Sequence, residues 1–188
     1  MYSNMQKIKE HIKGYWVLIT LIIFIFFMVS VLPSQSRQSL DLGMMESPDT
    51  SFYYTGAELY AIAGDYTQEA RDFYVRQRFT FDIIWPAVYG IFMFITSLFL
   101  MLRNGFDKKY YRLLYIPIAG VVFDLFENIA CALVMYRYPV LTDFFANIAG
   151  VMTALKWTTL SIAFVLIMVW AVKYLLMKLR MKTKKINP

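Results

Sequence analysis

One cysteine and one histidine among 188 residues leave little room for the commonest catalytic chemistries. Cys131 stands alone, so no intrachain disulfide can form, and the missing CxxC pair excludes the thiol oxidoreductases that favour small membrane bundles. A lone cysteine within an apolar run is otherwise a small hydrophobe. His11 lies in a basic lead before the first apolar run, which leaves histidine-assisted metal hydrolysis without ligands. No GxSxG turn is present, and Ser161 has no histidine to act as its base. Charge is also sparse: 15–32 and 83–102 contain none. No inverted repeat, filter sequence or coiled-coil heptad is evident. Four helices in a monomer leave little space for alternating access, so transport would imply a homodimer or a larger membrane complex.

Apolar residue is what the chain has in excess. It is 59% hydrophobic, with 16 Phe, 14 Tyr and 12 Met, more than a water-soluble domain of this length needs to fill a core. The excess falls in runs long enough to match the roughly 20 residues that cross about 30 Å of hydrocarbon. The sequence thus predicts an all-α integral membrane protein with four transmembrane helices in an antiparallel bundle, at 15–32, 81–102, 113–136 and 144–172. Lys7, Lys9 and Lys13 precede the first run as they would a signal peptide. That run is longer than a signal core and lacks a small-x-small cleavage site, so it reads as a retained anchor with Pro33 and Ser34 at its exit.

Basic residues orient the bundle. They gather in the lead (1–14), in the loop 103–112 at Arg103, Lys108, Lys109 and Arg112, and in the tail 173–188 from Lys173 to Lys185. The positive-inside rule puts all three on the cytoplasmic side, giving an N-in/C-in multi-pass protein of the cell membrane. The intervening segments, 33–80 and 137–143, are then outside; the first carries Asp41, Glu46, Asp49, Glu58, Asp65, Glu69 and Asp72. A net charge of +6 suggests nucleic acid only at first sight. Bunched at membrane edges, it calls for anionic headgroups among the membrane lipids, and no soluble segment interleaves aromatic and basic residues as RNA readers do.

The outer segment is too long for a mere connection. Its first part, "SQSRQSLDLGMMESPDTSFYY", is expected to be irregular chain. Thr55 and Glu58 then form a capping box, followed by Leu59, Ile62 and Ala63 on one helical face and Gly64 at the end. Asp65 with Gln68, or Thr67 in its place, starts a second helix bearing Ala70, Phe73, Tyr74, Gln77 and Phe81 on one side. No Pro or Gly intervenes before Pro86, so this helix should run straight into the second crossing. The prediction is an extracytoplasmic helical hairpin between transmembrane helices 1 and 2.

The strongest local signal is "FDLFEN", residues 123–128, inside the third run. At 1.5 Å per residue from Leu113, Asp124 lies roughly 16 Å deep and Glu127 roughly 21 Å. A single charge at such depth costs about 2.5–3.5 kcal/mol on an insertion scale, so two carboxylates one turn apart demand partners. Gly120, Asp124, Glu127 or Asn128, and Cys131 share an inward stripe, while Phe123, Leu125, Phe126 and Ile129 turn away. Lys156, at similar depth in the fourth run, is the expected counter-charge, with Asn147, Thr153, Thr159 and Ser161 along the same helix. From the second run, Asp82 can pair with Arg78 at i−4, Tyr89 faces the same way, and Trp85 suits an interfacial anchor. Pro86 leaves the Asp82 carbonyl without its helical donor.

These residues give two functional expectations and a structural one. The first is a pocket opening outward that binds an amphipathic or lipid-like ligand, with Arg78, Asp82, Trp85, Tyr89, Asn128 and Asn147 around it. The alternative is a membrane enzyme acting on a lipid or isoprenoid headgroup, with Glu127, Asp124 and Lys156 as catalytic groups. It would need no resident cofactor unless Asp82, Asp124 and Glu127 hold Mg²⁺ or Ca²⁺ through oxygen alone. The third is an assembly subunit in which the cluster only clamps the helices together.

Overall fold

The computed structural model describes residues 11–186, so Lys7 and Lys9 of the lead lie outside the described residues. The helices are α1 (Gly14–Phe26), α2 (Leu32–Asp41), α3 (Gly56–Asp65), α4 (Gln68–Arg78), α5 (Phe81–Asn104), α6 (Tyr115–Arg137) and α7 (Asp143–Ile186). Among the described residues there is no strand. Four helical stretches are long and apolar enough to cross a membrane: Gly14–Asp41, Gln68–Asn104, Lys108–Arg137 and Asp143–Thr183.

The tightest pair is α6 with α7. Small residues are buried along it, with Gly120, Ala130 and Cys131 on α6 and Ala146, Ala149 and Thr153 on α7. In lipid, close backbone approach of this kind replaces the hydrophobic effect as the source of helix association. A Cβ on Gly120 would come within 2.6 Å of Leu160 Cδ2. Next, α5 fits against both α6 and α7, and Gly105 closes it in the left-handed conformation at φ 69°. The outlier is α1, which packs mainly on α5, through Phe24 stacked on Trp85 and Phe92, and buries none of its own residues.

Three expectations for the segment 33–80 need correction. Pro33 does not end the first helix, and residues 34–41 are helical, while 42–54 are irregular as expected apart from a short 3-10 turn at Pro48–Thr50. A π turn (Phe27–Val31) precedes α2, in which Pro33 sits in the first turn. The wider π turn makes room for a proline ring that would otherwise crowd the carbonyl four residues back. At the next boundary Thr67, not Asp65, caps α4, its side chain accepting from the Ala70 N–H at 3.1 Å. Finally, α4 and α5 are not continuous. The Thr80 hydroxyl donates to the Arg76 carbonyl at 2.8 Å, and Phe79 and Thr80 close tight turns back to Arg76 and Gln77 before α5 restarts at Phe81. The hydroxyl bond accompanies the break and does not explain it, since Thr153 and Thr159 make the same bond within the unbroken α7.

Docking of α3 and α4 is apolar. Leu59, Ala63, Ala70 and Tyr74 are fully buried against Ala130, Val134 and Met135 of α6 and Ala146 and Ala149 of α7. Arg71 fixes the sharp turn between them. Its guanidinium donates to the α3 carbonyls of Ala63 (2.8 Å) and Tyr66, and lies 5.0 Å from the Tyr138 ring. It is thus a clamp on a helix C-terminus rather than a solvated charge. The capping box is present as expected: Glu58 Oε2 accepts from the Thr55 N–H at 2.6 Å, and Thr55 Oγ1 accepts from the Glu58 N–H at 3.2 Å.

This box makes α3 sensitive to acid. The Thr55 N–H, followed by the Thr55 hydroxyl, holds the Glu58 carboxyl below the ordinary glutamate value. A carboxyl lowered on folding adds stability above its unfolded pKa, and that stability disappears as pH falls through the lowered value. Amide protection factors in α3, taken relative to the intrinsic exchange rate at each pH, are therefore expected to fall below about pH 4.5 in the wild type. Glu58→Gln should flatten this dependence, and an unchanged acid profile in that variant would remove the box as its source.

Candidate functional site

The "FDLFEN" stripe forms one wall of a buried interhelical polar network. Asp124, Glu127 and Asn128 are buried on α6, while Phe126 and Ile129 are exposed on its other side. Lys156 enters from α7, with Nζ 2.5 Å from Glu127 Oε2 and 3.4 Å from Asp124 Oδ1. It also lies 5.3 Å from the centroid of the Trp157 ring. From α5, the Tyr89 hydroxyl donates to Asp124 Oδ2 at 2.6 Å. The interhelical ion pair expected for Lys156 is thus formed with both carboxylates at once.

A second ion pair lies nearer the α3–α4 end. Arg78 Nη1 is 3.0 Å from Asp82 Oδ2, and its guanidinium sits 4.1 Å from the Tyr74 ring centroid. Asn128 joins the two pairs. Its Oδ1 accepts from Arg78 Nη1 at 3.0 Å, and its Nδ2 donates to the Asp82 carbonyl at 3.1 Å, with Asp124 Oδ1 3.4 Å away. The Asp82 carbonyl is the one that Pro86 leaves without a helical donor, so a break in the α5 ladder is repaired from α6. Asn128→Leu should cost about 1–3 kcal/mol by stranding this carbonyl and an arginine N–H. The penalty should shrink in a Pro86→Ala background, where the helix supplies its own donor. Equal penalties in the two backgrounds, measured by equilibrium unfolding in detergent, would separate Asn128 from the Asp82 carbonyl.

Beside the network lies a cavity of about 910 Å³. Its walls come from α1 and the π turn after it (Phe24, Met28), α5 (Trp85, Tyr89, Met93) and α7 (Trp157, Leu160, Phe164), because α1 stands against α5 without closing on α7. Asp124, Lys156, Arg78 and Asp82 form its charged band. Towards the α3–α4 end the lining turns to neutral polar groups, among them Gln35, Ser36, Ser39 and Gln77. Gln77 Nε2 donates to Gln35 Oε1 at 2.9 Å, tying α4 to α2 across that mouth. The volume is at the upper end of the 300–1,000 Å³ or so typical of ligand pockets.

Three candidate residues do not line the cavity, one of them Asn128, which lies between the two ion pairs. Asn147 is outside the cluster: its Nδ2 donates to the Asp143 carbonyl at 2.8 Å, and its side chain packs against Gly56. Nine residues from Lys156 amount to two and a half helical turns, which carries Asn147 to the opposite side of α7. Glu127 is fully buried behind Lys156 and does not line the cavity, so it can act on a bound molecule only through its neighbour. Asp82, Asp124 and Glu127 do not converge on a common oxygen site. Among the described residues no group of three His, Cys, Asp or Glu could hold a metal ion.

Sequence reading missed Tyr54. It descends from the segment before α3 to place its hydroxyl 3.0 Å from Cys131 Sγ. Burial, then the nearby Cys131 and Glu127, push its phenol far above the ordinary tyrosine value, so it stays protonated. A signal was available: Tyr54 immediately precedes the Thr55 cap, the position from which an apolar residue staples onto the one five places on, here the buried Leu59. No family model, curated protein or solved structure matches this chain. The functional reading therefore rests on the site alone.

Proposed function

We propose that this chain is a multi-pass protein of the cell membrane that binds a single amphipathic, lipid-like molecule in the cavity between α1, α5 and α7. The polar head lies in the charged band and the neutral mouth, and the chain lies in the apolar gap between α1 and α7. Both termini are cytoplasmic in this reading, by the distribution of basic residues, and the α3–α4 hairpin covers the outer end. Membrane lipids are its partners, with anionic headgroups at the basic face. The observation that carries the reading is the cavity itself, graded from Ser and Gln through paired charges to aromatic and aliphatic wall. A clamp that only held four helices together would need no such space. Asp124 and Lys156 side by side on the wall favour, as second reading, acid–base chemistry on a bound headgroup.

Native mass spectrometry from mild detergent tests the proposal. The wild type is expected to retain one amphiphile per chain, and Ser161→Trp, which projects into the cavity, to lose it. Equal retention by both proteins would place any bound lipid elsewhere. Turnover of the retained molecule, abolished by Asp124→Asn, would favour the enzyme.

A further inference from the structure

We infer that the head of the bound amphiphile is positively charged, of the alkylammonium class. This deepens the reading of the cavity as an amphiphile site and rests on it. Five ionisable groups form the network: Arg78 from α4, Asp82 from α5, Asp124 and Glu127 from α6, and Lys156 from α7. Counted formally, two cations meet three carboxylates, which leaves one negative charge in a place where charge is costly.

Both cations are engaged. Arg78 spans Asp82, Asn128 and the Tyr74 ring, and Lys156 spans Glu127 and Asp124. A phosphate or sulfate head would have to pull one of them away and strand a buried carboxylate. A positive head corrects the imbalance and disturbs neither pair. The exposures point the same way. The side chains of Asp82 and Asp124 are 18% and 10% exposed and reach the cavity, whereas that of Glu127 is 1% exposed and does not.

Aromatic groups flank the two reachable carboxylates. Trp85 and Tyr89 follow Asp82 on α5 at three and seven residues, hence on its face, with ring centroids 5.5 Å apart. Trp157 lines the cavity from α7. Carboxylates among indole and phenol faces suit an ammonium, which gains from both the charge and the ring quadrupole. Met28 and Phe164 line the cavity where the alkyl chain would run.

The test uses the full chain in nanodiscs of zwitterionic lipid and three probes that share a bromine-tipped dodecyl chain. Their heads are trimethylammonium, hydroxyl and sulfate, and the readout is saturable quenching of tryptophan fluorescence. The ammonium probe is expected to saturate at a membrane concentration about tenfold below the alcohol, and the sulfate to show no saturable component. Asp82→Asn and Asp124→Asn, made separately, should each cut the preference for ammonium over alcohol at least about fivefold. Because the three-probe series is read on the wild type, it stands even where a variant fails to fold. Equal saturation by alcohol and ammonium, or tighter binding of sulfate, would overturn the charge assignment while leaving the amphiphile site intact. Quenching by all three that is linear and unchanged in Ser161→Trp would overturn the site itself.

Discussion

Lys156→Met is expected to destabilise the bundle by about 3–5 kcal/mol, the usual result of removing one partner from a buried ion pair. Lys156 is the only cation within salt-bridge distance of Glu127 among the described residues, at 2.5 Å, and that glutamate is fully buried. Asp124 is better provided for, since it also accepts from Tyr89 at 2.6 Å. The rescues should therefore be unequal. Adding Glu127→Gln to Lys156→Met should recover most of the loss, and adding Asp124→Asn markedly less. Equilibrium unfolding in mild detergent measures all three. A single-variant loss below about 1 kcal/mol would mean that water reaches the pair and that it behaves as a surface one.

Gly150→Ala is expected to lift the segment carrying Tyr54 off α7. A Cβ at position 150 would fall 1.8 Å from the Tyr54 carbonyl oxygen and 3.0 Å from its carbon, both backbone atoms. Neither can turn aside as a side chain does, so the cost should reach or exceed the roughly 1–3 kcal/mol of an overpacked core. Cys131 reports the movement, because it is the only thiol, is buried, and lies under the Tyr54 hydroxyl. Its labelling by a membrane-permeant maleimide should quicken at least about tenfold, in keeping with a lost local protection of this size. Gly120→Ala is the control: its added methyl meets the flexible tip of Leu160, which can shift, and should leave labelling near the wild-type rate. Equal rates in the two variants would mean that Tyr54 does not cover the thiol.

What could be read from the sequence was local or periodic. Long apolar runs announced the spans, and the 3.6-residue period of α6 put Asp124, Asn128 and Cys131 on one stripe. Depth counting matched Lys156 to its partners because charge in hydrocarbon leaves few alternatives. Pro86 marked an orphan carbonyl, though not that Asn128 would answer it. The misses have separate causes. Pro33 reads as a stop unless a π turn is foreseen, and such a turn has no composition of its own. The break at Phe79–Thr80 carries neither Pro nor Gly, so a search for those residues passes over it. Asn147 was placed by depth without phase. The cavity depends on α1 resting mainly on one neighbour and leaving α7 uncovered, a long-range outcome that no window of sequence contains.

The length of α7 limits what its basic end can do. The helix runs without interruption from Asp143 to Ile186, so the residues after Val172 continue the same rod. Upright and rising 1.5 Å per residue, it carries Lys178 roughly 9 Å and Lys182 roughly 15 Å beyond Val172. Lys173, 4.6 Å from the Phe106 ring centroid, remains at the bundle. The basic residues from Lys173 to Lys182 therefore ride on one helix and move with the bundle, so whatever they meet is held at fixed distances from it.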